Sequence, residues 1–230
     1  MENEINKLEK QLKHVDRADD VMNWVLRIIL IAILAFVISY LYDAYAPDDH
    51  SAVYHNGDTW ITMIGTNIDY PVVQGKDNFE YLDKDPDGNY YAGGSIFLDY
   101  RNKFDFSDGY NVVYGHNMAG GKMFADLKKY YEQDFFDTHP DGMLFTPKQN
   151  YKLKVIGILK TNAYTTGVYG YRKVNSDLLS SIAKCKPIRK MNITGKKILA
   201  LSSCSISMDD RRDVVFCTMT KTDKEYADIE

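Results

Sequence analysis

The chain has 230 residues, 28 Lys and Arg against 32 Asp and Glu, 45% hydrophobic residues and a formal net charge of −4 at pH 7. That length suits one domain with its own core and an appendage, and an acidic balance without a run of Lys or Arg along a face excludes the electrostatic footprint that nucleic acid demands. Three cysteines, Cys185, Cys204 and Cys217, none in a C-x-x-C pair, are too few for a disulfide scaffold or a zinc site.

Residues 1–23 form a charged, helix-compatible segment. From Trp24 to Tyr42 the chain then reads WVLRIILIAILAFVISYLY, whose only charge is Arg27. At about 1.5 Å per residue such a helix just crosses a hydrocarbon core of about 30 Å, with Arg27 reaching for the headgroups. The long charged lead and Pro47 after Ala44-Tyr45-Ala46 argue for retention as an anchor rather than cleavage as a signal peptide. Lys7, Lys10, Lys13, Arg17 and Arg27 precede or open the span, and no Lys or Arg follows until Lys76. The positive-inside rule therefore places the amino terminus in the cytoplasm and the bulk of the chain outside, in contact with the bilayer only through its anchor.

Residues 43–59 are polar and read as a stalk. The exported domain, 60–230, follows as short β-type runs separated by turn residues: 60–64, 70–74, 95–99, 111–115, 143–146, 151–159, 197–203 and 214–220. Eight such strands predict a sandwich or barrel. Helical patterning is confined to 79–82, 122–130 and 176–185, the last with Asn175 or Ser176 as cap. Asp83, Asp85, Asp87 and Gly88 start like a calcium loop, but position 94 is Gly where the bidentate Glu belongs, so a solvated acidic loop is expected.

An exported free thiol is a liability unless it is used or buried. Cys204 directly follows the apolar strand 197–203 in LSSCS, where a strand end meets a loop; Cys217 lies in an apolar run and Cys185 ends an amphipathic helix, and both read as core. From position alone, Cys204 is either a nucleophile or a core thiol. A nucleophilic thiol needs a proton partner, and histidine is the usual one. His14, His50 and His55 lie outside the domain and His139 precedes Pro140 in a turn, whereas His116 follows the strand NVVYG immediately and opens a Gly-rich loop. A surface-loop histidine is its plainer reading. Arg211 and Arg212 follow Cys204 within eight residues, and an antiparallel return would bring one of them beside the thiol; adjacent strand residues face opposite ways, so only one can serve. No Asp or Asn stands out as a third member to orient His116.

Together, YPVVQGKDNFEYL (70–82), GGSIFLDYRN (93–102), YGHNMAGGKMFADL (114–127) and LSSC followed eight residues later by Arg212 resemble the sortases, most closely class B, over nearly all of Trp60 to Thr220. The resemblance implies a mainly β fold, a closed eight-stranded sortase-type barrel with a few helical insertions behind one transmembrane helix. It implies a cysteine transpeptidase that cleaves a C-terminal sorting signal after Thr through a thioester. The exported protein would then pass to a peptidoglycan precursor amine, with neither metal nor organic cofactor. Carried over by motif, the nucleophile falls on Cys204, the histidine on His116 and the arginine on Arg212, which directly precedes the last strand. Ser202 and, with less support, Asn117 correspond to substrate-groove positions. The family usually has Thr where Ser203 stands, a change that keeps the hydroxyl and implies only a packing adjustment. An exported cysteine hydrolase and a membrane-tethered binding module remain the alternatives, and the residue after the signal's Thr, Asn or Gly, is open.

Overall fold

The structure is a computed structural model that describes residues 21–39, 41, 58–165, 167–204 and 210–229, and at positions 204 and 229 the backbone alone. The chain divides into two units, the first holding an N-terminal helix and the second a barrel. Helix α1 (Val21–Ser39) is long and apolar enough to cross a membrane, and none of its side chains is buried. It begins three residues before the span expected from the sequence. Tyr40, Tyr42 and residues 43–57 of the expected stalk lie outside the described residues.

Eight strands form the second unit: β1 (Trp60–Met63), β2 (Asp69–Val73), β3 (Ile96–Leu98), β4 (Tyr110–His116), β5 (Asp141–Phe145), β6 (Asn150–Asn162), β7 (Lys197–Cys204) and β8 (Arg211–Thr222). They close in the order β1-β2-β3-β4-β7-β8-β6-β5. Every strand expected from the sequence is present. Pairing is antiparallel except at β2 with β3 and β4 with β7. Closure leaves no open sheet edge for another strand to add to.

Along β4, β7 and the middle of β8 the wall is apolar on both faces, and alternation sorts its residues into two clusters. Inward-facing Val113, Leu199, Leu201, Val215 and Cys217 join Ile61, Leu144 and Leu153 inside the barrel. Outward-facing Tyr110, Val112, Tyr114, Ile198, Ala200, Val214 and Phe216 pack beneath the long β6–β7 connection, where Val168, Leu178, Ile182 and Cys185 cover them. Strands sandwiched in this way read as continuous hydrophobic runs rather than as strict alternations, as YNVVYG and KILALSS do.

The helical segments are shorter than the sequence suggests. Residues 79–82 are a turn, not a helix: the Asp77 carboxylate accepts the Phe79 and Glu80 amides at 2.9 and 3.0 Å, folding the chain locally before a helical ladder can start. Residues 125–131 are a 3-10 helix rather than an α-helix from 122, because Met123 takes a positive φ of 55°. Helix α2 (Gln133–Thr138) was not expected from the sequence. Helix α3 (Ser176–Ile182) lies between β6 and β7 as read, with Asn175 Oδ1 accepting from the Leu178 amide at 2.8 Å as its cap. Asp85, expected in a solvated loop, is buried, and its carboxylate accepts the Asn89 backbone amide at 2.8 Å and the Asn89 side chain at 3.1 Å.

Gly115 shows how tightly the wall is filled beside its strand end. It faces inward, and a Cβ there would come within 2.3 Å of Ile96 Cδ1 and 2.9 Å of the Phe124 ring. Only glycine lets the 3-10 segment lie against β4. Gly115→Ala is therefore expected to overpack this contact and lower stability by about 1–3 kcal/mol, read as a shift in urea midpoint at unchanged m-value. A variant as stable as the parent would show that Phe124 is free to retreat.

Candidate active site

Strands β4 and β7 start 87 residues apart in the chain because the whole middle of the sequence is routed around the barrel; in space they are neighbours, and their parallel register runs from Tyr110 opposite Ile198 to His116 opposite Cys204. Both residues are the last of their strands. Parallel neighbours lie about 4.8 Å apart, so the histidine and the cysteine identified in the sequence end side by side on the barrel wall. They are not loop residues beyond the strands but the closing pair of a ladder.

The arginines meet the same pair from β8. The antiparallel register of β7 with β8 ends with Leu201 opposite Val215 and Ser202 opposite Val214. Carried two residues further, it sets Arg212 opposite Cys204 and leaves Arg211 one step out of phase. On its other side β8 is held by β6, with Thr161 opposite Arg212 and Asn162 opposite Arg211. Arg212 is half-buried and Arg211 exposed; the Arg212 guanidinium donates from Nη1 to the Arg211 carbonyl at 3.1 Å. In parity, Arg212 continues the outer-face series of Val214 and Phe216, His116 continues Val112 and Tyr114, and Cys204 is the next position after Ala200 and Ser202.

His116 is held by a backbone group rather than a side chain. Its Nε2 lies 2.7 Å from the Leu82 carbonyl oxygen. A carbonyl can only accept, so Nε2 carries a proton and the neutral ring has its lone pair on Nδ1. Nδ1 is buried and has no hydrogen-bond partner among the described residues. The missing third member of the sequence reading is thus Leu82 O, a group no side-chain motif can announce.

Just below the His116 and Cys204 pair, the outer face carries a polar and aromatic patch. Tyr114 is the register partner of Ser202. Ser202 is fully buried, and its Oγ shares a 2.9 Å hydrogen bond with the Tyr169 hydroxyl, whose ring stacks on Tyr114 at 6.1 Å between centroids. Of the three tyrosines in the loop 162–172, Tyr169 is the one brought to the site; Tyr164 is exposed, and Tyr171 reaches Asp177 Oδ2 at 3.4 Å. The Tyr114 hydroxyl donates to Asp99 Oδ2 at 2.9 Å. Asn117 has left the strand and bridges Met123. Ser203, on the inner face, accepts the Asp213 amide through Oγ at 3.2 Å, which extends the β7–β8 tie one step past the ladder. A threonine hydroxyl would serve equally.

The other sequence candidates settle elsewhere. Cys185 and Cys217 are buried, and burial pushes their thiols up, Cys185 to about 12 and Cys217 further, so neither forms a thiolate near neutrality. His139 stacks on Phe135 at 4.3 Å and touches Thr138 Oγ1 through Nδ1 at 2.8 Å, a structural role. Among the described residues no three His, Cys, Asp or Glu side chains gather where a metal ion would fit.

Asp99 is the charged anchor of this patch. Burial pushes its carboxyl up, but hydrogen bonds and charge from Arg101, with the Tyr114 hydroxyl, outweigh burial and hold it below its ordinary 3.8. In that window the unfolded chain binds more protons than the folded one, so the stabilisation is complete above 3.8 and is lost as pH falls through the depressed value. The stability difference between the parent and Asp99→Asn should accordingly be widest near pH 6 and shrink as pH drops below about 4. Chemical denaturation from pH 6 to pH 3 reads it, and a pH-independent difference would deny Asp99 its charge.

A sortase-domain model matches residues 61–220. Sortase B of Listeria monocytogenes is 35% identical over 155 residues, covering 65% of this chain and 63% of that protein, and sortase B of Staphylococcus aureus is 30% identical over 171 residues, covering 70% and 69%. Among solved structures, a Streptococcus pyogenes class B sortase involved in pilus biogenesis is 34% identical, with a TM-score of 0.67 over 76% of this chain and 98% of that one. The Staphylococcus aureus sortase B–substrate complex gives 0.66 at 28% identity, over 73% and 81%. With the family's domain matched across the whole barrel, and the barrel itself shared with class B structures, the chain belongs to the sortase family.

Proposed function

We propose that this chain is a membrane-anchored cysteine transpeptidase with Cys204 as nucleophile, His116 as proton carrier and Arg212 as oxyanion or backbone donor. The observation that carries the reading is the strand register that ends on His116 beside Cys204, with the ring turned so that Nε2 is occupied by Leu82 O. That leaves Nδ1 as the nitrogen able to exchange a proton with the thiol, the departing amine and the incoming one.

In the first half-reaction the Cys204 thiolate attacks the Thr carbonyl carbon of a C-terminal sorting signal on an exported protein. The tetrahedral oxyanion takes hydrogen bonds from the Arg212 fork. The C–N bond then breaks, the amine leaves with the proton that His116 held at Nδ1, and a thioester remains. In the second half a peptidoglycan precursor amine attacks, gives its proton to Nδ1 and displaces the thiolate. The proton that Nδ1 takes from the Cys204 thiol leaves with the departing amine and is replaced by one from the incoming amine, so protons and charge balance over the cycle. Ser202 and Tyr169, and beyond the strand end Asn117, would line the groove that receives the signal; the match of the barrel to a sortase B–substrate complex supports this placement. The relatives do not favour a non-catalytic binding module. Helix α1, with Lys7, Lys10, Lys13, Arg17 and Arg27 before or within it, supports an N-terminus in the cytoplasm and a barrel on the outer surface.

Fluorescence-quenched peptides with Thr-Gly and Thr-Asn signals, each with and without an amine acceptor, test the proposal. Cys204→Ala should abolish cleavage, His116→Ala should lower kcat/KM by about 10²- to 10⁴-fold, and Arg212→Lys by about 10²-fold because an ammonium cannot reproduce the planar fork. The amine should divert product from acid to ligated peptide. Cleavage that survives Cys204→Ala would sink the assignment, and hydrolysis untouched by amine would make the protein a hydrolase.

Anchoring adds a second expectation. Both proposed substrates are tethered to the same membrane, so confinement raises their effective concentration. Removing residues 1–42 should cost far more rate on vesicle-tethered substrates than on short peptides. Equal losses would mean that the anchor does not serve encounter.

A further inference from the structure

Asp99, directly after β3, is 2% exposed, yet its carboxylate collects five donors. Arg101 supplies its backbone amide and Nε to Oδ1 at 2.9 and 2.8 Å and Nη2 to Oδ2 at 2.7 Å; the Tyr114 hydroxyl and Asn78 Nδ2 reach Oδ2 at 2.9 and 3.2 Å. A buried carboxylate so fully satisfied is an ionised fixed point, stiff because every lone pair is engaged.

Two of those donors lead to His116. Tyr114 precedes it by two residues on the same face of β4. Asn78 opens the turn that ends at Leu82. The Asn78 amide is clamped at both ends, since its Oδ1 accepts the Tyr100 amide at 3.0 Å. From there the turn is rigid: Asp77 takes the Phe79 and Glu80 amides, the Leu82 amide donates to Phe79 O at 3.2 Å, and Tyr81 O accepts from Ser95 at 3.0 Å. Gly94, at φ +59°, closes the far side, where a Cβ would lie 2.5 Å from Leu82 O. The carbonyl that meets His116 Nε2 therefore stands between Asn78 and Gly94 with little room to shift.

We infer that Asp99 is a positioning residue: through Asn78 it fixes the turn that presents Leu82 O to His116, and through Tyr114 it fixes the strand on which His116 stands. The inference rests on the proposed proton-carrying role of His116. The backbone at Asp99 is held independently of the charge, its amide donating to Val112 O at 2.8 Å and its carbonyl accepting from Gln74 Nε2 at 2.9 Å. Asp99→Asn keeps the shape and removes the anion.

The test reads the His116 tautomer directly. The full-length chain, labelled with ¹⁵N-histidine in detergent micelles and assigned by His116→Ala, should show the neutral ring protonated at Nε2. In Asp99→Asn the proton should spread over both nitrogens, with kcat on a cleavable signal peptide down about tenfold and KM within about threefold, as a displaced catalytic group implies. Gly94→Ala, which pushes on Leu82 O from the other side, should move the tautomer in the same way with Asp99 intact. If Asp99→Asn does not fold, Asn78→Ala, which leaves the Arg101 and Tyr114 bonds in place, is read by the same criterion. A tautomer identical to the parent's, whether or not kcat or melting temperature falls, overturns the inference, since the effect would then be general stability. Absence of turnover in the parent would strike the proposed function instead, and the tautomer would still decide the role of Asp99.

Discussion

Everything at this site depends on the parallel pairing of β4 with β7. Two strands that run side by side in the same direction bring their last residues to the same level, and here those residues are His116 and Cys204. Parallel neighbours cannot be joined by a tight turn, so the chain must make a long excursion between them, and that excursion builds β5, β6 and the helix-bearing connection covering the outer face. The need to place a thiol beside an imidazole and the need to cover the wall are met by one topological choice.

Within that frame, small polar groups do the fine adjustment. Leu82 O decides which imidazole nitrogen is free, Ser203 Oγ extends the β7–β8 tie past the last ladder pair, and Asp99 binds two loops and a strand to one carboxylate. Each bond is worth about 1 kcal/mol in net stability. Their weight lies in direction: each fixes an orientation that apolar packing leaves loose.

Much of this was legible in the sequence. The eight strands stood out because β-branched and aromatic runs separated by Gly, Asn, Asp and Pro have few other solutions; Cys204 and His116 stood out because each follows a strand and opens a loop, whereas only the family resemblance separated Arg212 from Arg211. The failures have local physical causes. Residues 79–82 have the composition of a helical turn, but Asp77 captures the amides that would begin it, and Met123 breaks the helix read from 122 with a positive φ. The orienting group of His116 was invisible because a backbone carbonyl has no residue type. Asp99 lay within a quoted motif, yet its partnership with Asn78 and Tyr114 exists only after β3 docks on β4.

The register of β4 with β7 also has a kinetic side. His116 and Cys204 are about ninety residues apart in the chain, and their strands become neighbours only when a nearly complete barrel exists. Contacts of such long sequence separation form late and slowly. The thiol and the imidazole therefore come side by side only as the barrel closes, so the pair is assembled by the last step of folding rather than by any local segment.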